Sequence, residues 1–261
     1  MNDELVVALF QTDLYWEDVT ANLSSLEEQI AQLEKSVDVI VLPEMFNSGF
    51  TMNTALAEPL NLTTTRWMKQ MAAQTGALVM GSFAVKEGGV FFNTLLSVFP
   101  DGSVHAYQKR HLFRMGQEHE VYHAGVSRKT MQWKGWNILG LVCYDLRFPV
   151  WSRNLQSDPY DLLIYVANWP ARRTTAWKTL LQARAIENQS YVAGVNRVGV
   201  DGNQIEYQGD SVVHDFLGEP ICMLGDILQH KIVTLSKTSL ETYRKAFPAY
   251  LDADTFQITI Q

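Results

Sequence analysis

The run Val37-Asp38-Val39-Ile40-Val41-Leu42-Pro43-Glu44 is almost continuously apolar, rich in β-branched residues and interrupted by a proline. A strand with one wet face alternates apolar and polar side chains. This one does not, so it is expected to be buried on both faces of a sheet. Upstream of it, residues 6–11 read as a second strand. Between the two, Val19, Leu23, Leu26, Ile30 and Leu33 recur at steps of 4, 3, 4 and 3, which lines one face of a helix.

Toward the C-terminus the alternation continues. Residues 64–75 read as a helix that stops before Gly76. Residues 77–85, 90–99 and 103–108 read as strands, with Phe99-Pro100-Asp101-Gly102-Ser103 as the turn of a hairpin. Residues 109–125 show no sustained period and are rich in His, Glu and Gly, so a loop is expected there. Strands at 131–133 and 137–143 are joined by Lys134-Gly135-Trp136. A short helix is expected around 150–156 and a buried strand at 162–167. Residues 174–188 read as a helix with Trp177, Leu180, Leu181 and Ile186 on one side. A strand at 190–195, β segments near 211–216, 221–224 and 231–235, and a helix near 239–247 follow. No linker rich in Ser, Gly or Pro and no fixed-period repeat divides the chain. The alternation implies one α/β domain over residues 1–261, although two stacked α/β halves would read the same way.

Of the 261 residues, 47% are hydrophobic and 19% charged, which fits a globular chain with a sizeable core and excludes a disordered or low-complexity one. The formal net charge of −7 argues against a broad basic face for nucleic acid, though not against a local basic pocket for an anion. No apolar run approaches the roughly 18 residues of a membrane helix. The opening Met1-Asn2-Asp3-Glu4 is acidic where a signal peptide is basic. A soluble cytoplasmic protein is therefore expected, with no nucleic-acid or membrane partner. The two cysteines, Cys143 and Cys222, make no disulfide framework.

Three residues stand at or just beyond expected strand ends, where open α/β sheets place their ligands. They are Glu44, Lys109 and Cys143. Each has an ordinary reading alone: a solvated turn carboxylate, a solvated lysine beside Arg110, a small buried hydrophobe. Taken together they are complementary. A thiol nucleophile needs a base, because the thiolate is the reactive form. A cation beside a developing oxyanion supplies the electrostatic stabilisation that acyl transfer requires. A Cys–His pair is the competing arrangement; His111 is its leading histidine, and it is assigned instead to structural hydrogen bonding. His119, Glu120 and His123 have a spacing open to metal ligation, but no cysteine or further histidine joins them, so no metal is expected. There is no GxGxxG fingerprint and no P-loop, and no cofactor is expected.

At these residues the sequence resembles the nitrilase (carbon–nitrogen hydrolase) superfamily, and most closely its omega-amidases. The anchors are Leu42-Pro43-Glu44-Met45-Phe46-Asn47-Ser48-Gly49-Phe50, then Tyr107-Gln108-Lys109-Arg110-His111-Leu112-Phe113, then Cys143-Tyr144-Asp145-Leu146-Arg147-Phe148-Pro149. The resemblance implies a four-layer α-β-β-α sandwich that dimerises into an eight-layer assembly. It also implies catalytic roles for Glu44, Lys109 and Cys143. The family's second glutamate lies seven residues before a glycine, a separation matched by Glu118 and Gly125, with Glu120 as the lesser candidate. Nitrile hydrolysers of the family follow the cysteine with Trp-Glu, whereas Tyr144-Asp145 fits the amidase branch. The implied substrates are the terminal amides of 2-oxoglutaramate and 2-oxosuccinamate.

On that reading Glu44 takes the thiol proton, Lys109 and the Tyr144 N–H hold the oxyanion, and a thioester is hydrolysed by water that Glu44 activates. Lys109→Ala is expected to lower kcat by at least about a hundredfold with little change in folding. The substrate carboxylate needs a cation. Arg114, Arg172 and Arg173 lie in segments expected to border the site, and Arg147 follows Cys143 closely. Arg147 and Arg173 are carried forward as binding candidates, with Tyr144, Phe113 and Trp169 as pocket walls. Two other functions compete: an amidase or N-carbamoyl hydrolase for another small acid, and a non-catalytic dimeric binding protein on the same fold. The intact Glu44, Lys109 and Cys143 argue against the last.

Overall fold

The computed structural model describes residues 3–259. Met1 and Asn2, half of the acidic opening, lie outside the described residues. The first part of the chain runs β1 (Glu4–Gln11), α1 (Val19–Ala31), β2 (Val39–Val41), α2 (Thr63–Thr75), β3 (Leu78–Glu87), β4 (Val90–Val98) and β5 (Val104–Gln108). Its strands β1, β2 and β3 pair in parallel, and β3, β4 and β5 continue antiparallel.

The second part runs α3 (Glu118–Val121), β6 (Met131–Trp133), β7 (Trp136–Val142), α4 (Pro149–Ser152), β8 (Leu162–Ala167), α5 (Thr174–Asn188) and β9 (Tyr191–Asn196). A ribbon of β10 (Val198–Val200) and β11 (Glu206–Gln208) precedes β12 (Val212–His214) and β13 (Pro220–Met223). Strands β7, β8 and β9 form the parallel centre of a second six-stranded sheet. Finally β14 (Gln229–Ser236) returns to the first sheet, antiparallel to β1, and α6 (Lys237–Ala246) follows.

The two sheets face each other with helices outside, a four-layer α-β-β-α sandwich. The opening run accounts for two of those layers. Val39 and Val41 join Val7, Leu9, Met80 and Leu95 in the cluster shared with the second sheet. Ile40 and Leu42 join Ala8 and Phe10 in the cluster shared with α1 and α2. Both faces of the strand are dry because each meets its own layer. The sheets pack tightly at Gly140 of β7, where an added Cβ would lie 2.5 Å from Leu95 and 3.0 Å from Met80.

The structure departs from the sequence reading in four places. Residues 109–125 hold a 3-10 turn (Arg114–Gly116) and α3, too short for their periodicity to register. The helix expected around 150–156 begins earlier, as a 3-10 turn at Cys143–Arg147 followed by α4, with Pro149 at its first position. Ile186 is 51% exposed, because the buried stripe of α5 passes through Trp177, Leu181, Arg184, Ala185 and Asn188 instead. The β10–β11 ribbon, two three-residue strands, was not anticipated. No helix among the described residues is long and apolar enough to cross a membrane.

Candidate active site

Four side chains arrive from the ends of four strands. Glu44 leaves β2, Lys109 leaves β5, Cys143 leaves β7 and Asn168 leaves β8. The turns that deliver the first and third are strained. Met45 and Cys143 each hold φ near +43°, a left-handed conformation that non-glycine residues keep only where their surroundings dictate it. At Met45 the Ser82 hydroxyl accepts from its N–H at 3.0 Å, while its carbonyl accepts from Gly49 N at 2.8 Å. At Cys143 the restraint is Asp145. This buried carboxylate accepts from Val142 N (3.1 Å), the Tyr107 hydroxyl (2.7 Å) and His111 N (3.0 Å), and it meets His111 Nδ1 at 2.8 Å. One carboxylate thereby ties the turn carrying the thiol to the segment carrying the lysine. Gly125 closes the same segment: an added Cβ would lie 2.0 Å from the Gln108 carbonyl.

The resulting cluster is fully dry. Lys109 Nζ donates to Glu44 Oε1 at 2.8 Å and to Glu118 Oε1 and Oε2 at 3.0 and 2.9 Å, with all three side chains at 0% exposure. Asn93 Nδ2 donates to both carboxylates, at 2.8 Å to Glu44 and 3.1 Å to Glu118. Glu44 Oε2 accepts from Asn168 N at 2.8 Å, and Glu118 Oε2 accepts from Phe113 N at 2.6 Å. The Cys143 thiol donates to the Asn168 carbonyl at 3.9 Å, and the Glu44 charge acts on it electrostatically.

Charge balance sets the proton positions. Burial disfavours the Lys109 ammonium, but the Glu118 and Glu44 carboxylates outweigh it and hold its pKa above the ordinary lysine range. Burial and then the Glu44 charge push the Cys143 thiol well above its usual value, with Lys109 only partly opposing them. Burial also raises Glu118, against the pull of Lys109. The resting sulfur is thus a protonated thiol with a carboxylate beside it, an arrangement suited to proton transfer during attack.

Cys143 and Lys109 line a cavity of about 520 Å³, in the size range of small-ligand pockets. Phe113, Tyr144, Trp169, Arg147 and Arg173 all line it, as does Arg172, whereas Arg114 does not. Phe113 and Tyr144 pack edge to face at 5.2 Å. His111 is held by Asp145 and stacks on Phe148 at 3.7 Å. His119, Glu120 and His123 are exposed, and among the described residues no group of three or more His, Cys, Asp or Glu side chains is placed to hold a metal ion. Sequence reasoning overlooked Asn93, Asn168 and Asp145. Asn168 carried a usable signal, since it directly follows the buried strand β8. Asn93 lies inside β4 and carried none.

The sequence matches the carbon–nitrogen hydrolase family over residues 6–243. It is 50% identical to the omega-amidase YafV of Escherichia coli K12 over 97% of this chain and 98% of that one. It is 33% identical to the 2-oxoglutaramate amidase of Bacillus subtilis over 80% of this chain and 82% of that one. Among solved structures, a carbon–nitrogen hydrolase superfamily protein of Xanthomonas campestris, with an arsenic adduct in its active site, superposes with a TM-score of 0.96 at 45% identity. That match covers 99% of this chain and 100% of the other.

Proposed function

The chain belongs to the carbon–nitrogen hydrolase family and is an amide-bond hydrolase, and we propose that it cleaves the terminal amide of a small 2-oxo dicarboxylic monoamide, 2-oxoglutaramate or 2-oxosuccinamate, to the acid and ammonia. The observation that carries this reading is the dry cluster of Glu44, Lys109 and Glu118 set against Cys143 on one small cavity. The relatives named omega-amidase and 2-oxoglutaramate amidase supply the substrate class.

In the proposed mechanism Glu44 takes the proton from Sγ as the sulfur attacks the amide carbonyl. The oxyanion accepts from the Lys109 ammonium and the Tyr144 N–H, near the start of the 3-10 turn. Glu44 then returns the proton to the leaving nitrogen, ammonia departs and a thioester remains. Glu44 next takes a proton from water, the hydroxide adds to the thioester carbonyl, and collapse releases the acid while the sulfur recovers its proton. Glu118 holds Lys109 in register throughout, and the ammonium proton that meets Glu44 Oε1 turns toward the oxyanion once Glu44 has taken the thiol proton. The active form is proposed to be a homodimer, which sedimentation would reveal as twice the chain mass of 29.6 kDa.

Ammonia release from 2-oxoglutaramate and from glutamine, by the protein and by Cys143→Ala, tests the reading. Expected are rapid release from the oxo acid, much slower release from glutamine and none from the variant. A higher kcat/KM on an N-carbamoyl acid, with carbon dioxide released, would move the assignment to the competing hydrolase.

A further inference from the structure

Arg147, Arg172 and Arg173 line one cavity with Cys143, and among the described residues none of the three forms an ion pair. Their surroundings differ. Arg147 is exposed and spends its guanidinium face on the Trp169 ring, 4.9 Å from the centroid. Arg172 is exposed as well. Arg173 is half-buried, over the Phe113 ring at 5.2 Å. Its Nη1 is buried without a hydrogen-bond partner, and its Nη2 meets only the thioether of Met115, a weak acceptor. The backbone beneath it is fixed, because Trp169 Nε1 donates to the Arg173 carbonyl at 2.8 Å.

The acidic groups of the cavity are already occupied. Glu17 accepts from the Thr51 hydroxyl and from Asn53 Nδ2. Asp201 accepts from Asn203 N, Ile205 N and the Tyr207 hydroxyl. Neither answers the arginines. Burial and the neighbouring Arg172 and Arg147 charges weaken the hold of Arg173 on its proton, and an ionised Cys143 is near enough to strengthen it. The positive field at this position is therefore uncompensated and within electrostatic range of the sulfur.

We infer that Arg173 is the residue that binds the substrate carboxylate and thereby sets specificity, its unpartnered Nη1, with Nη2 exchanging the weak Met115 thioether, gripping the acid end while the amide end lies at Cys143. Arg147 and Arg172 add positive field from the solvent side. This rests on the reading that the substrate is a carboxylate-bearing amide. It also explains discrimination against glutamine: an α-ammonium next to the gripped carboxylate would face three guanidiniums, whereas an oxo group carries no charge to repel.

The test is calorimetric titration of Cys143→Ala with 2-oxoglutarate, the dicarboxylate product, and with uncharged pentanamide. Both titrations are repeated in the double variants that add Arg173→Met or Arg173→Lys. With Arg173→Met the Kd for 2-oxoglutarate should rise by about tenfold or more relative to that for pentanamide, and Arg173→Lys should recover part of the loss. The inference is overturned if the ratio of the two constants moves by less than about threefold. It is overturned equally if both ligands weaken together or if 2-oxoglutarate fails to bind the parent. Absence of ammonia release from 2-oxoglutaramate by the unmodified protein would instead remove the substrate reading, and the titration would still decide the role of Arg173.

Discussion

Lys109 is a single cation between two buried carboxylates, and its removal affects stability as well as chemistry. Its raised pKa stabilises the fold fully at neutral pH, and that stabilisation is lost only as pH rises above the ordinary lysine range. The sequence alone suggested that Lys109→Ala would leave folding nearly untouched. The dry setting changes that, because Glu44 and Glu118 would then share a pocket with no counter-charge. Lys109→Met should lower kcat by about a hundredfold or more and destabilise the protein by about 3–5 kcal/mol. The sign with pH follows from Glu118, whose pKa burial already raises and which loses the lowering effect of Lys109 in the variant. A carboxyl that keeps its proton in the folded state loses stability as pH rises. Urea midpoints of Lys109→Met should therefore fall between about pH 5 and pH 8, more steeply than those of the unmodified protein. A flat, wild-type-like profile would show that the cluster does not need its cation.

The 3-10 turn Cys143–Arg147 is a five-residue element whose shape depends on one carboxylate. Asp145→Asn replaces an oxygen that accepts hydrogen bonds with an N–H₂ that opposes the same donors, Val142 N and the Tyr107 hydroxyl or His111 N. The turn should relax and Sγ should shift from Glu44. We expect kcat to fall about 10–100-fold and stability to fall by about 1–3 kcal/mol, with KM little changed. Steady-state kinetics and urea unfolding separate these effects; a KM effect alone would place Asp145 in binding. At this scale the sequence was legible where burial enforced a period: the strand at 162–167 and the helix at 174–188 coincide with β8 and α5. It was illegible where elements are single turns pinned by distant partners. Glu44, Lys109 and Cys143 stood out because each lies just past the end of a strand and the three are chemically complementary. Asn93 did not, because its only mark is an amide pointing into a cluster assembled from four strands.

The candidate site draws its side chains from both sheets, so we propose that sheet spacing governs its geometry. Glu44 and Lys109 follow strands of the first sheet, Cys143 a strand of the second, and Gly140 stands three residues before the sulfur where side chains of the first sheet press on β7. Its missing side chain lets Leu95 and Met80 reach the backbone of β7. Gly140→Ala places one methyl against the flexible ends of those side chains, and a rotation of Leu95 can absorb it. Gly140→Val adds two more carbons in a packed interior, where overfilling costs about 1–3 kcal/mol through displaced backbone. That displacement separates β7 from the first sheet and so moves Sγ away from Glu44 and Lys109. Misplacement by about 1 Å is enough to cost about a hundredfold in rate. Gly140→Val should therefore lose far more kcat than its stability loss alone explains, measured well below the unfolding transition, while Gly140→Ala stays near the unmodified protein in both. If the valine variant loses stability but keeps its kcat, the sheets act as independent supports and the sulfur is positioned by its own turn.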